Sequence, residues 1–308
     1  MGNINWKYFV AAAEERNFTR AAAKLFISQQ SLSNYIVKLE TTLGVELFSR
    51  KNNLSLTEAG ESLYANAKKI LVMEELAEKE ILDIRDFRTS SLRIGVSRQR
   101  GSMILPAVLP ELKLKYPELK VEVVEKRLKE LQKELLEGSV DLMFGYAEEK
   151  HPDLVYEVYD QEKLVLIIAD SLWNQYFSPE KQEELLKMDK VPLDVFDKCP
   201  FVLLKEGGWM TSLIHKYCAK TDLKLNEVFY TLSIDTMINL AIVGFGITVC
   251  PAVYLRDEFI DKIASEPIHI FELEDPMFMP ERAIIYMKKR YLPKIARDFI
   301  DIAKVYRY

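Results

Sequence analysis

The tightest constraint on this chain lies in residues 18–40, where two short helical patterns are separated only by Phe26 and Ile27. Thr19 is placed to cap the first pattern, which runs to Leu25 or Phe26. Ser28 is placed to cap the second, which continues to about Leu43 and stops at Gly44. So short a connection forces a sharp turn, the geometry of a helix-turn-helix. Ala22 and Leu25 face Leu32, Ile36 and Leu39, the last three spaced i, i+4, i+7, and the small Ala21 and Ala22 let the helices approach closely. The other side of the second helix is polar: Gln29 aligns with Ser33, and Gln30 with Asn34 and Lys38. Gln and Asn amides pair bidentately with adenine in the major groove, and hydroxyls donate or accept there. The same face also suits an ordinary amphipathic helix turned to solvent, and residue types alone leave both readings open.

Charge has to be read locally. Residues 1–57 set Lys7, Arg16, Arg20, Lys24, Lys38, Arg50 and Lys51 against Glu14, Glu15, Glu40 and Glu46, inside a chain of formal net charge −5. That balance excludes a protein coated in nucleic acid but leaves room for one small DNA-binding module. Residues 58–88 then read as a single long helix with no Gly or Pro after Gly60. Leu63, Ala67, Ile70, Glu74, Ala77, Ile81 and Ile84 follow a 4-3 spacing, a heptad seam with one polar interruption. A helix packed on its own domain fits that spacing as well.

From Ser91 onward short apolar strands alternate with amphipathic helices. Strands are expected at 91–97, 121–125, 140–145 and 163–169, with helices at 103–116 and 128–137, and Pro106 fits the first turn of the earlier helix. This order implies a mostly parallel, doubly wound sheet. A second set follows, with strands at 201–204, 228–232, 246–250 and 282–287 and helices at 209–220, 236–243 and 292–305. Together they predict two α/β lobes, one at about 91–164 with 268–308 and the other at about 165–267, with a cleft between them. Ligands of open α/β sheets bind beyond the carboxyl ends of strands. The candidate ligand residues are therefore Ser97, Arg98, Gln99, Arg100, Gly101 and Ser102 after the first strand, Lys126 and Arg127 after the second, and Tyr146 after the third. The second lobe adds Trp209, Thr211, Phe245, Gly246 and Thr248. Ser102 near a helix start, with Arg98, Arg100, Lys126 and Arg127, favours an anionic metabolite such as a carboxylate. Solvated loop cations explain the same residues equally well.

Residue type and order at Ala21, Ala22, Leu25, Ser28, Gln29, Leu32, Ser33, Ile36, Leu39, Glu40, Leu43, Gly44, Leu47, Phe48, Arg50 and on through Leu56 to Gly60 resemble the LysR-type transcriptional regulators. The match is dense over the first sixty residues. Beyond them it is looser, carried by Leu92 to Gly95, by 141–145, and by a Gly-x-Gly-Ile-x-x-x-Pro run at 244–251. The resemblance implies an overall α/β protein: a winged helix-turn-helix in 1–57, a linker and dimerisation helix in 58–88, and an effector-binding domain in 89–308 with the fold of type 2 periplasmic binding proteins. It further implies that Ser28, Gln29, Gln30, Ser33 and Asn34 meet base edges or nearby phosphates of promoter DNA. Thr19, Arg20, Lys38 and the wing residues Arg50, Lys51, Asn52 and Asn53 would hold the DNA backbone. Leu63, Ala67, Ile70, Ala77, Ile81 and Ile84 would pair two copies into a homodimer, with a homotetramer expected and RNA polymerase as a further partner. The family often has proline at the position of Gln30 and a basic residue at that of Asn34. Lys38 is thus the one cation on this recognition helix, and useful affinity is expected to need a dimer.

The remaining expectations are exclusions. The N-terminus shows no secretory signal and no apolar run approaches the ~20 residues a membrane span needs, so a cytoplasmic location is expected. Cys199, Cys218 and Cys250 suit neither a disulfide scaffold nor a four-thiolate zinc site. Because a peroxide-sensing branch of the family uses a thiol pair in its second lobe, Cys199 and Cys218 define the alternative of a redox sensor. His151, His215 and His269 lack metal-ligand spacing, and no phosphate loop, nucleophile elbow or dinucleotide fingerprint is present, so neither cofactor nor catalysis is expected. A solute-binding protein would match residues 91–308 but would need an export signal and no helix-turn-helix.

Overall fold

The computed structural model describes residues 5–49, 54–84, 91–147, 150–205, 208–255 and 264–306. Arg50, Lys51, Asn52 and Asn53 lie outside that set, as does the side chain of Ile84. The N-terminal unit packs α1 (Trp6–Glu15), α2 (Phe18–Lys24) and α3 (Gln29–Leu43) around Phe9, Ala12, Ala21, Leu32 and Ile36, all fully buried. Asn17, not Thr19, caps α2: its Oδ1 accepts the N–H groups of Thr19 at 2.9 Å and Arg20 at 3.0 Å. Asparagine is the stronger cap, and its earlier position moves Thr19 into the first helical turn. Ser28 caps α3 as expected, accepting the Ser31 N–H at 3.1 Å, and Gly44 ends the helix in the left-handed region at φ 71°. The sharp turn between α2 and α3 places Phe26 at φ 56°.

The wing is tied to α3 by one carboxylate. Glu40 Oε1 accepts the N–H groups of Leu47 and Phe48 at 2.8 and 3.1 Å, just where β1 (Phe48–Ser49) begins its antiparallel pairing with β2 (Ser55–Leu56). Thr57 Oγ1 then accepts the Gly60 N–H at 3.0 Å and opens α4 (Glu58–Ile84). Any Cβ at Gly60 would collide with the Leu47 carbonyl, so the wing and the long helix meet at a point only glycine fits.

Lobe I contains β3 (Ser91–Val96), α5 (Arg98–Lys115), β4 (Lys120–Glu125), α6 (Leu128–Glu137), β5 (Leu142–Tyr146), β6 (Leu154–Gln161), β12 (Glu281–Met287) and α11 (Lys294–Val305). Its sheet runs β4-β3-β5-β12-β6. Core residues Ile94, Val96, Val108, Phe144, Ile284 and Phe299 lie between the sheet and α5 with α11, while Leu131, Leu135, Met143 and Ile285 pack with α6. Gly138 closes α6 at φ 84°, and a side chain there would overlap Val72 of α4 and Arg290.

Lobe II contains β7 (Leu164–Ala169), α7 (Asp170–Tyr176), α8 (Pro179–Leu186), β8 (Pro200–Leu204), α9 (Trp209–Thr221), β9 (Asn226–Thr231), α10 (Ile234–Ile242), β10 (Thr248–Pro251) and β11 (Ile268–Glu272). Here β7 sits between β10 and β11, and β8 pairs with β9. The two chain crossings between lobes meet where the Glu162 N–H donates to the Pro280 carbonyl at 2.9 Å.

Three expectations need correction. The strands are mixed rather than mostly parallel: β3, β4 and β5 are parallel, as are β8 and β9, but β12 runs antiparallel to β5 and β6, and β7 to β10 and β11. A chain that crosses between lobes and returns must enter each sheet in the opposite direction. The return to lobe I comes after β11, not at 268, because β11 pairs with β7. Finally α5 starts at Arg98, which puts both Pro106 and Pro110 inside the helix. Each proline removes one backbone donor, a loss tolerated where those residues face solvent.

Candidate functional site

On α3 the polar face is free of the core. Gln29, Gln30, Asn34 and Lys38 are exposed and Ser33 is half-buried, whereas Leu32, Ile36 and Leu39 are buried on the other side. Thr19 and Arg20 are exposed on α2. Arg20 is engaged within the domain: its Nη2 donates to the Glu15 carbonyl at 2.6 Å and its Nε lies 3.6 Å from the Glu15 carboxylate. Ser28 is engaged as the helix cap. The arrangement offers amides and one cation in a row on a projecting helix, suited to base edges more than to strong phosphate binding.

The seam on α4 is divided between two surfaces. Ala67 is fully buried and Leu63 packs beside it in the winged-helix core, so neither lies on a face open to a second chain. Met73 (69% exposed), Ala77 and Ile81 (57% exposed) remain open, with Ile70 half-buried beside them. Met73 was not anticipated. It stands three residues after Ile70 and four before Ala77, and a register starting there would have found it.

A cavity of about 890 Å³ separates the lobes. Ser97, Arg98, Gln99, Arg100, Lys126, Arg127, Tyr146 and Trp209 line it, as the sequence led us to expect. Gly101 and Ser102 do not; the early start of α5 turns them onto a groove along the outside of lobe I with Leu105, Pro106, Leu109 and Val123. Thr211 and Thr248 are buried, each donating its hydroxyl to a backbone carbonyl (Leu204 at 2.8 Å, Val202 at 2.6 Å), and so serve packing. A Cβ on Gly246 would press on the Pro200 carbonyl, and Phe245 packs edge-on to Phe229 instead of facing the cleft. Sequence reading missed Ser233, Asp235 and Tyr254, which also line the cavity. The rule of searching strand ends and helix starts, applied to β9 and α10, would have found Ser233 and Asp235.

Three helices present N-termini without a side-chain cap to this cavity: α5 after Ser97, α6 after Arg127 and α9 after Gly208. Arg100 is not the accessible cation expected of it. It is buried, donating to Glu162 Oε2 and to the Tyr146 hydroxyl, both at 2.7 Å. Burial disfavours its charge, but Tyr146 and Glu162 outweigh burial and hold the guanidinium protonated beyond its ordinary range. Burial pushes the Tyr146 phenol well above its usual value and keeps it neutral. Lys126 is paired with Glu134.

The thiols are shifted away from reactivity. Burial raises Cys199 and Cys250 to about 12 and Cys218 to about 11, all three being free thiols. A peroxide-reactive cysteine needs a stabilised thiolate. Among the described residues no cluster of His, Cys, Asp and Glu is placed to hold a metal, and no helix is long and apolar enough to cross a membrane.

A winged helix-turn-helix joined through one long helix to a two-lobed domain with a ligand-sized cleft defines a DNA-binding regulator with a built-in sensor. Residues 5–61 match the model of the bacterial regulatory helix-turn-helix protein, lysR family, and residues 85–306 match the LysR substrate binding domain. The chain belongs to the LysR family of transcriptional regulators and is a DNA-binding regulator with an effector-binding domain. It is 28% identical over 307 residues to the uncharacterized HTH-type transcriptional regulator YcgK of Bacillus subtilis, covering 97% of this chain and 92% of that protein. A full-length OxyR variant from Pseudomonas aeruginosa superposes with a TM-score of 0.73 at 20% identity, over 99% of this chain and 95% of that one. Full-length CbnR complexed with its target DNA gives 0.64 at 19% identity, over 97% and 98%. At such identities these two structures speak to fold alone.

Proposed function

We propose that this regulator binds promoter DNA as a homodimer through the exposed amide face of α3, and that an anionic small molecule in the interlobe cleft sets its activity. The observation that carries the DNA assignment is the solvent-facing row Gln29, Gln30, Asn34 and Lys38 on a helix whose other side is core. Its test is fluorescence anisotropy on the chain's own upstream DNA at several salt concentrations. Gln29→Ala and Ser33→Ala are expected to weaken binding to that DNA by about tenfold each, a cost in the range of one lost base contact. Equal binding of all fragments by wild type and variants would refute base reading.

Dimerisation is assigned to the stripe of exposed Met73, Ala77 and Ile81 with half-buried Ile70, which is apolar and helical in period. Ile70→Asp with Ile81→Asp is expected to yield monomers on sizing. With Lys38 the single cation of the recognition face, the monomer is then expected to lose operator binding.

The anionic character of the effector rests on three uncapped helix N-termini around one cavity and on Arg98, Lys126, Arg127, Lys129 and Lys205 along its walls. A melting-temperature screen in which only neutral or cationic compounds act would overturn it. Effector binding changes lobe separation, and through α4 the spacing of the paired DNA-binding units and the bend they impose. A cytoplasmic location and RNA polymerase as a partner follow from the same reading.

A further inference from the structure

One aromatic ring from each lobe meets its counterpart across the cleft. Tyr146 ends β5 in lobe I and Trp209 opens α9 in lobe II; their rings stack with centroids 3.7 Å apart and planes 8° from parallel. The Arg100 guanidinium also lies over the Tyr146 ring, 4.6 Å from its centroid. Arg100 is anchored in turn by Glu162, 2.7 Å away, and Glu162 also accepts from the Tyr146 hydroxyl. Glu162 belongs to the chain crossing between lobes, where its N–H reaches Pro280 on the return crossing. The Tyr146 side of the stack is therefore fixed to the hinge, while Trp209 travels with lobe II. Trp209 is half-buried at the edge of the lobe II core, with one ring face turned to Tyr146.

We propose that the Tyr146–Trp209 stack is an interlobe latch, holding the two lobes at the present separation until an occupant of the cleft that requires a different one releases it. The latch rests on the reading of the cleft as the effector site. A single stacked pair biases such a two-state opening by about two- to tenfold. That is enough to set the resting state and small enough for a bound small molecule to reverse.

The test uses the full-length protein. Its three tryptophans are Trp6, Trp173 and Trp209, so subtracting the emission of Trp209→Phe from that of wild type isolates Trp209. Tyr146→Leu is expected to shift that emission to the red and raise its quenching by acrylamide about threefold, as loss of a stacked face exposes the indole. Tyr146→Phe, which keeps the ring, is expected to leave it protected. Because Tyr146→Leu also disturbs Arg100, a second measurement follows hydrogen exchange at Glu162, whose amide bridges the crossings. Trp209→Ala should speed that exchange more than exchange at the Val202 amide, which donates to Ile247 within lobe II. Indifference of Trp209 to Tyr146→Leu, or of the Glu162 amide to Trp209→Ala, overturns the latch.

The cleft reading fails differently. An anionic aromatic probe, 1-anilinonaphthalene-8-sulfonate, would then bind wild type and Arg98→Glu alike, while Trp209 still answered to Tyr146. With both readings sound, the probe binds Trp209→Ala about fivefold more tightly than wild type and loses affinity in Arg98→Glu.

Discussion

Strand β5 has a charged cluster at each end, and the two are built differently. At the base, Asp141 Oδ1 lies 3.6 Å from Lys79 Nζ of α4 and 3.2 Å from Arg93 Nη2, and Glu75 of α4 joins the same two cations at 3.0 and 3.3 Å. Asp141 Oδ2 also accepts the Arg93 N–H at 2.8 Å. Further along α4, Asp83 accepts from the Tyr291 hydroxyl at 2.7 Å and the Lys294 N–H at 2.9 Å. At the cleft end, Arg100 and Glu162 form a pair internal to lobe I and its crossing, and an aromatic stack reaches across to lobe II. Directional, multiply bonded contacts thus hold α4 to lobe I, whereas a non-directional surface meets lobe II. A buried ion network resists both sliding and tilting; a ring stack resists separation weakly. These contacts bind α4 and lobe I into one unit, to which lobe II is joined at the cleft by the weaker stack.

The largest effect should come from breaking the base. Asp141→Asn leaves Lys79 and Arg93 sharing one carboxylate in a buried site, and a loss of about 3 kcal/mol is expected in urea unfolding. If the loss is under about 1 kcal/mol, the base is no stronger than the stack and the contrast fails. Glu162→Gln at the cleft end is expected to cost about 2 kcal/mol, since Arg100 keeps the Tyr146 hydroxyl and the Gly145 carbonyl. Asn17→Ala should cost about 1 kcal/mol and Thr19→Ala much less, which separates the true cap of α2 from the expected one. Lys68→Ala, removing a 3.8 Å pair with Glu137 on the surface between α4 and α6, should cost no more than about 0.5 kcal/mol.

Thiol chemistry supplies the smallest predicted effect. With all three thiol values raised above that of a free cysteine, the thiolate fraction at pH 8 is smaller than in the unfolded chain and grows only as pH climbs toward 11 or 12. Iodoacetamide should label the native protein slowly at pH 8 and the urea-unfolded protein fast. Peroxide should leave DNA binding unchanged; a loss of binding accompanied by a disulfide on mass spectrometry would restore the redox reading.

The winged helix-turn-helix was readable because its signals are local. Cap, turn, small residues and polar face all fall within 26 residues of one another, and only the choice of Asn17 over Thr19 was missed. The lobes were readable as alternating strands and helices, but β6 was not expected and β11 was given to the wrong lobe, because strand pairing is a long-range fact that no single segment encodes. The cleft was the hardest to read. Arg100 looked like a spare cation because its partner Glu162 stands 62 residues away in the chain. Helix α5 was started five residues late, at Met103, with Pro106 placed in its first turn; both prolines in fact lie inside the helix, where they face solvent and cost only single backbone bonds.

Gly138 gives α4 its seat. The missing side chain lets Val72 settle against the end of α6, and Val72 stands 14 residues after Glu58, about 20 Å along the helix at 1.5 Å per residue. The glycine works as the fulcrum of a lever whose long arm carries the winged domain. A methyl group there would have to displace the Val72 and Arg290 side chains; were α4 to yield instead by a tilt of about 5°, the far end of that arm would move about 2 Å, more than the ~0.5 Å within which a contact must be placed.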